Sequence, residues 1–158
     1  MSDFLVECID CKHRATYTAI STSCPNCGGE WRETVYDFEA IKKTYLETIK
    51  DRRFGLWRYR ELLPVKNVDL DLTLGEGGTP LLKANNLGMM LGLPHLYIKD
   101  ERQGPTTSFK DRQAAVTIAA LKEAGVEEAV IASTGNVAIA YSAYAARAGI
   151  KLWAFITS

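Results

Sequence analysis

Four cysteines, one lysine and one short polar loop are the residues of this chain whose types and spacing could do chemistry. Cys8 and Cys11 form a C-x2-C pair, Cys24 and Cys27 repeat it after a gap of 12 residues, and no cysteine is left over. Two such pairs on tight turns can bring four thiolates to the corners of a tetrahedron around Zn²⁺, and Gly28 and Gly29 of the CPNCGG stretch offer the positive φ that such turns use. A four-thiolate set leaves no open position for water, so the metal would be structural. The same spacing permits rubredoxin-like iron, or two disulfides, which a reducing compartment disfavours. His13 reads as a surface residue rather than a further ligand.

The lysine is Lys110, within GPTTSFKDRQA. Ser108 and Asp111 fit the S-x-x-D capping pattern, which makes Ser108 an N-cap and puts Lys110 in the first turn of a helix. A cation there stands against the partial positive charge of the helix N-terminus. Such a place suits a neutral amine, the nucleophile that forms Schiff bases with carbonyl compounds. A surface lysine snorkelling from a helix end fits the spacing equally. The loop is Ser133-Thr134-Gly135-Asn136, where a strand ends and a helix begins. Free N–H groups and hydroxyls there suit a carboxylate or phosphate, and they suit ordinary helix capping by Ser133 or Thr134 just as well.

These residues need elements to position them. From His95 onward strand-like and helix-like runs alternate: HLYIKDE, SFKDRQAAVTIAALKEAG, VEEAVIAST, NVAIAYSAYAARAG and IKLWAFIT. That order predicts an α/β fold, a βαβαβ parallel sheet whose nearly continuous apolar strands are covered by helices on both faces. Gly125 and Gly149 are placed to close the two helices. In open α/β sheets ligands bind at the carboxyl ends of strands, which is where DERQGPTTS and STGN fall. Upstream, Phe38, Ile41, Tyr45 and Ile49 recur at helical spacing and predict an amphipathic surface helix over 38–53. LWRYRELLPV predicts a short helix stopped by Pro64, and LGEGGTPLL a loop. Arg52, Arg53, Arg58 and Arg60 read as a solvated face or as partners of nearby carboxylates, with an inter-subunit contact as the alternative.

Composition narrows the function classes. The 158 residues carry 19 Lys plus Arg against 19 Asp plus Glu, so no global field draws the chain to nucleic acid or an anionic membrane. In the cysteine-bearing segment Lys12, Arg14 and Arg32 are outnumbered by Asp3, Glu7, Asp10, Glu30 and Glu33, a poor footprint for phosphates. Neither a signal peptide nor an apolar run long enough for a membrane span is present, which predicts a cytoplasmic location.

LGEGGTPLL, YIKDE, PTTSFKDR and STGN followed by AYAARAGI, in this order behind four cysteines and LWRYRELLPV, resemble the ribbon-bearing threonine synthases, enzymes of fold type II that use pyridoxal 5′-phosphate (PLP). SFKDR is highly specific to that family, while STGN and LGEGGTPL are shared more widely among fold type II enzymes. The resemblance implies a zinc ribbon over 1–36, a segment of the large domain over 37–94, and the first part of the small α/β domain over 95–158. It implies an internal aldimine between Lys110 and PLP and a hydrogen bond from Asn136 to the cofactor's 3′-oxygen. Ser133, Thr134, Gly135 and Asn136 would hold the substrate carboxylate, with Ser108 and Asp111 flanking the aldimine. The implied reaction is a carbon–oxygen lyase step that turns O-phospho-L-homoserine and water into L-threonine and phosphate.

The family has small residues or glycine where this chain has Thr107 and Gln113, glycine at Arg102, and a hydroxyl residue or alanine at Val137. A sister reaction, such as cysteate formation from phosphoserine, therefore stays open beside threonine formation, as does a zinc-ribbon interaction module without catalysis. The glycine-rich loop that cradles the PLP phosphate in the family lies beyond the position of Ser158. The expectation is a fragment that needs a C-terminal half or second chain, is inactive alone, and would form a homo-oligomer when complete.

Overall fold

The computed structural model describes residues 4–157; Met1, Ser2, Asp3 and Ser158, which the expected first and last segments include, lie outside the described residues. Three short strands, β1 (Phe4–Cys8), β2 (Arg14–Thr16) and β3 (Arg32–Tyr36), form an antiparallel sheet in the order β2-β1-β3. Its side chains alternate: Phe4, Val6 and Cys8 are buried, while Leu5 and Glu7 face outward. Tyr17 and Tyr36 close over Phe4 as tilted ring pairs at 5.4 and 6.1 Å.

Helix α1 (Phe38–Thr48) starts where Asp37 accepts a hydrogen bond from the Ala40 N–H at 3.0 Å, and it gives way to a 3₁₀ turn over Ile49–Asp51. Ile41, Tyr45 and Ile49 are half-buried, but Phe38 is exposed, so the expected apolar stripe is covered only in part. Two further 3₁₀ segments follow, Leu56–Leu62 with a kink at Tyr59, and Leu70–Leu72. The run up to Pro64 is thus helical, though of the tighter kind.

Strand β4 (Leu81–Lys83), helix α2 (Asn85–Leu91) and strand β5 (Tyr97–Lys99) come next, and β4 pairs with β5 antiparallel. This corrects the expected βαβαβ sheet. The YIK strand does not join the later strands but folds back antiparallel on LLK across residues 84–96, a connection that contains α2. The parallel unit is βαβ: β6 (Glu128–Ala132), α4 (Asn136–Ala148) and β7 (Lys151–Phe155), preceded by α3 (Lys110–Glu123).

Helices α3 and α4 pack against each other through small residues, Ala114, Ala115 and Ala119 on one side and Ala140, Ala145 and Ala148 on the other, with Ile118 and Tyr144 filling the remaining space. Trp57, Val65 and Ile150 complete this core. Gly125 and Gly149 follow the helices in the left-handed region, as their placement predicts. The expectation that helices cover both faces of the sheet is corrected as well. Ala129, Ile131 and Leu152 are half-buried, whereas Val130, Trp153 and Phe155, which alternate with them, remain exposed on the other face.

Candidate active site and metal centre

The four cysteines converge. Their sulfurs all lie within 4.8 Å of one another, with Cys8 to Cys27 at 3.6 Å and Cys11 to Cys24 at 3.7 Å. A tetrahedral ion with metal–sulfur bonds of about 2.3 Å sets its ligands about 3.8 Å apart, so the spacing fits a metal. It is far too long for a disulfide, and all four thiols are free.

The two turns that present the sulfurs are built alike. The Lys12 N–H bonds the Cys8 carbonyl at 3.0 Å and the Gly28 N–H bonds the Cys24 carbonyl at 2.9 Å, with φ of 58° at Lys12 and 77° at Gly28. The second turn uses glycine for this conformation; the first uses Lys12, which sequence reasoning did not single out. Asn26 points its backbone N–H at the Cys24 sulfur (3.4 Å) and its side-chain amide at Cys11 (3.6 Å). The Asn26 amide, helped by His13, pulls the Cys11 thiol down to about 6. Cys27 has a favourable backbone bond from Gly29, yet the neighbouring sulfurs push it up to about 12. Four thiols this close cannot all ionise without a cation among them. His13 is exposed and stands outside the cluster.

Phe109 has helical φ and ψ (−64° and −10°), so Lys110 is the second residue of the first turn, as the capping pattern predicts, although regular helix begins at Lys110. Ser108 is buried and its Oγ accepts the Lys110 N–H at 3.3 Å, the bond expected of an N-cap. Asp111 does not complete a capping box. Its buried carboxylate is occupied by Thr106, taking the backbone N–H at 3.0 Å and the hydroxyl at 2.5 Å. Gly104 makes room for this, since a Cβ there would lie 2.4 Å from the Asp111 oxygen. Between them Thr107 has φ of 60°, a left-handed conformation that a β-branched residue adopts at a cost, which explains why a small residue or glycine suits this position.

The basic neighbours of Lys110 are neutralised. Arg112 binds Glu101 at 2.9 and 3.1 Å, and the Thr79 hydroxyl joins both. Arg102, itself exposed, grips Asp100 at 2.8 and 2.9 Å and holds its carboxyl down to about 2.

The STGN loop joins β6 to α4. The Ser133 N–H bonds the Phe155 carbonyl at 3.1 Å, and the Ser133 hydroxyl accepts the Gly135 N–H at 3.3 Å. Asn136 opens α4, whose N-terminus has no side-chain cap, so neither Ser133 nor Thr134 serves as the ordinary cap. Thr134, Gly135 and Asn136 are exposed at the uncapped start of α4.

Topology brings Lys110 and Asn136 to one end. Helices α3 and α4 flank β6 in the chain and pack together, so both run against β6 and begin at its carboxyl end. The Tyr141 and Thr117 hydroxyls meet at 3.1 Å between the helices. At 1.5 Å per residue, Lys110 stands about 10 Å and Asn136 about 8 Å along their helices from that bridge.

Sequence reasoning treated LGEGGTPLL only as a loop and missed its acid. Glu76 is 2% exposed and accepts from the Trp57 indole N–H, the Tyr144 hydroxyl (2.9 Å), the Thr73 hydroxyl (2.9 Å) and the Leu74 N–H (3.0 Å). Burial, and then the Glu76 charge, hold the Tyr144 hydroxyl protonated far above its usual range. The adjacent Gly77 has φ of 81°, and a Cβ on it would lie 2.4 Å from the Leu56 nitrogen. The signal was an acid flanked by glycines, but only the fold shows that Trp57 and Tyr144 meet it.

Among the described residues no helix is long and apolar enough to cross a membrane. Residues 72–158 match the family model described as "Pyridoxal-phosphate dependent enzyme". The chain is 45% identical over 148 residues to threonine synthase of Methanocaldococcus jannaschii, covering 93% of this chain and 36% of that protein. It is 37% identical over 147 residues to threonine synthase of Methanosarcina acetivorans, covering 93% and 35%. Threonine synthase of Halalkalibacterium halodurans shares 46% over 96 residues, covering 61% and 27%. The chain thus spans about a third of the length of the first two relatives. With residues 72–158, more than half of the chain, matching that family model, the chain belongs to the pyridoxal-phosphate dependent enzyme family.

Proposed function

We propose that the chain is part of a threonine synthase that converts O-phospho-L-homoserine and water to L-threonine and phosphate, with Lys110 as the residue that carries PLP. The observation that carries this reading is the shared end of α3 and α4, where a lysine and an uncapped helix N-terminus lie together. When bound, the cofactor supplies an aldehyde for the lysine and an electron-accepting ring for the charge that develops at the substrate Cα.

The protein's part falls to named side chains. Lys110 would hold the cofactor, and as a free amine it moves protons at the substrate Cα and Cβ. Asn136 would help hold the cofactor through its side-chain amide. The N–H groups opening α4, with Ser133 and Thr134, hold the substrate carboxylate and so orient the Cα–H bond. Ser108 fixes the backbone of Lys110 from below. Phosphate leaves from Cγ and water adds at Cβ. Cys8, Cys11, Cys24 and Cys27 would hold a structural zinc.

The uncovered face of β6 and β7 supports a requirement for further polypeptide, so the chain alone should turn over little or no substrate. The test supplies a polypeptide covering the remainder of a relative such as the M. jannaschii protein and follows phosphate and L-threonine from O-phospho-L-homoserine. Formation of both, abolished by Lys110→Ala, is the expected result. Turnover of O-phospho-L-serine with sulfite in its place would move the reading to the cysteate-forming lyases.

A further inference from the structure

We propose that Phe109 and Gln113 form a latch that holds Lys110 on the first turn of its own helix and must open before the lysine can react. This rests on the reading of Lys110 as the cofactor lysine. The Lys110 ammonium lies 4.7 Å from the centre of the Phe109 ring, and its Nζ donates to the Gln113 side-chain oxygen at 3.4 Å. Gln113 is three residues on from Lys110, the spacing at which side chains on one helix face meet. Its amide makes no other hydrogen bond among the described residues. Phe109 is 57% exposed, so core packing does not dictate where its ring sits.

The surrounding charges leave the lysine to this pair. Asp111, next in sequence, is engaged by Thr106, and Glu101 is engaged by Arg112 and Thr79. No carboxylate therefore pairs with Lys110 among the described residues. Both contacts of the latch are to the charged head: a ring face attracts a cation, and an amide oxygen accepts an N–H. An amine attacking an aldehyde carbon must present its lone pair instead, so it must leave both. Contacts of this exposed kind are weak, and the latch is one that opens readily rather than a lock. Gln113 is thus a positioning residue for the free lysine.

The test measures how fast Lys110 is trapped. Purified chain is mixed with PLP, quenched at intervals with borohydride, and mapped for the pyridoxyl group, with Lys122 at the far end of α3 as internal reference. Trapping forms one C–N bond, expels the aldehyde oxygen as water, and takes hydride from the borohydride. Gln113→Ala and Phe109→Leu should each raise the initial rate at Lys110 by about two- to fivefold relative to Lys122, and the double variant by more. Gln113→Glu, which offers the ammonium a full negative charge, should lower it. A change in helix stability would move Lys110 and Lys122 together and would not give opposite signs for alanine and glutamate. Labelling of Lys110 that is selective in the unmodified protein but unchanged in all variants overturns the latch and leaves the lysine's role standing. Failure to label Lys110 in the unmodified protein and in the double variant overturns both.

Discussion

The cysteine-bearing segment and the α3–α4 unit meet the same shortage in different ways. The β1–β3 sheet buries only Phe4, Val6, Cys8 and Cys24 among its apolar residues, too few to hold three short strands, and it gathers four sulfurs within 4.8 Å. The α3–α4 unit buries a row of alanines with Ile118 and Tyr144, and joins the preceding loops through one buried carboxylate, Glu76. A small module without a core needs a cross-link; a larger one can carry a buried polar node if every donor around it is satisfied. The first solution is closed within 36 residues. The second holds its catalytic candidates at an open end.

The comparison breaks most severely at the sulfurs. If the four sulfurs hold zinc as proposed, removing it with a chelator, or replacing buried Cys24 by Ser, should unfold the β1–β3 sheet, since structural zinc in small modules carries about 10 kcal/mol or more of folding free energy. Loss of amide-exchange protection over 4–36, with α3 and α4 unaffected, is the expected pattern. Protection that survives in metal-free protein would show that the sheet stands on its own apolar residues.

A smaller effect is expected at the polar node. Glu76→Ala leaves the Trp57 and Tyr144 donors buried without an acceptor and should cost about 3 kcal/mol or more. Glu76→Gln should cost about half as much, because its carbonyl can keep the three donors on one oxygen while its amide faces the Trp57 N–H. Denaturant melts followed by far-ultraviolet circular dichroism would check both. Equal stability for the glutamine and native chains would mean that the Trp57 contact contributes nothing.

The smallest effect is a gain. Thr107→Gly relieves a left-handed φ at a β-branched residue, offset in part by the added freedom of the unfolded chain, and should stabilise by about 0.5 kcal/mol. A thermal melt would register the rise. A fall would mean that the Thr107 side chain makes a contribution larger than its backbone strain.

Much of this was legible in the chain itself. C-x2-C pairs with a 12-residue gap specify a local event, since the turn geometry lies within each pair, and the structure brings all four sulfurs together. The helix around Lys110 and the one after STGN were legible for the same reason: periodicity and closing glycines act over a few turns. The partner of the Asp111 carboxylate was not, because it had two suitors, and Thr106 in its turned loop wins over the backbone of Ser108. Which strands pair was not legible either. YIK has the same apolar character whether it joins β4 or β6, and its pairing with β4 is a long-range choice that the strand itself does not encode.

The sequence by itself determined what local spacing can encode: the sulfur turns, the helices, and the resemblance carried by SFKDR and STGN. Tertiary structure decided the relations between distant segments. It set Lys110 and Asn136 at a common end, turned Glu76 into a junction between Trp57 and Tyr144, and left one face of β6–β7 bare. The physical reason is range. A turn or cap is settled by neighbours within about four residues, whereas the partners of a buried carboxylate or a strand edge are chosen by how the whole chain packs.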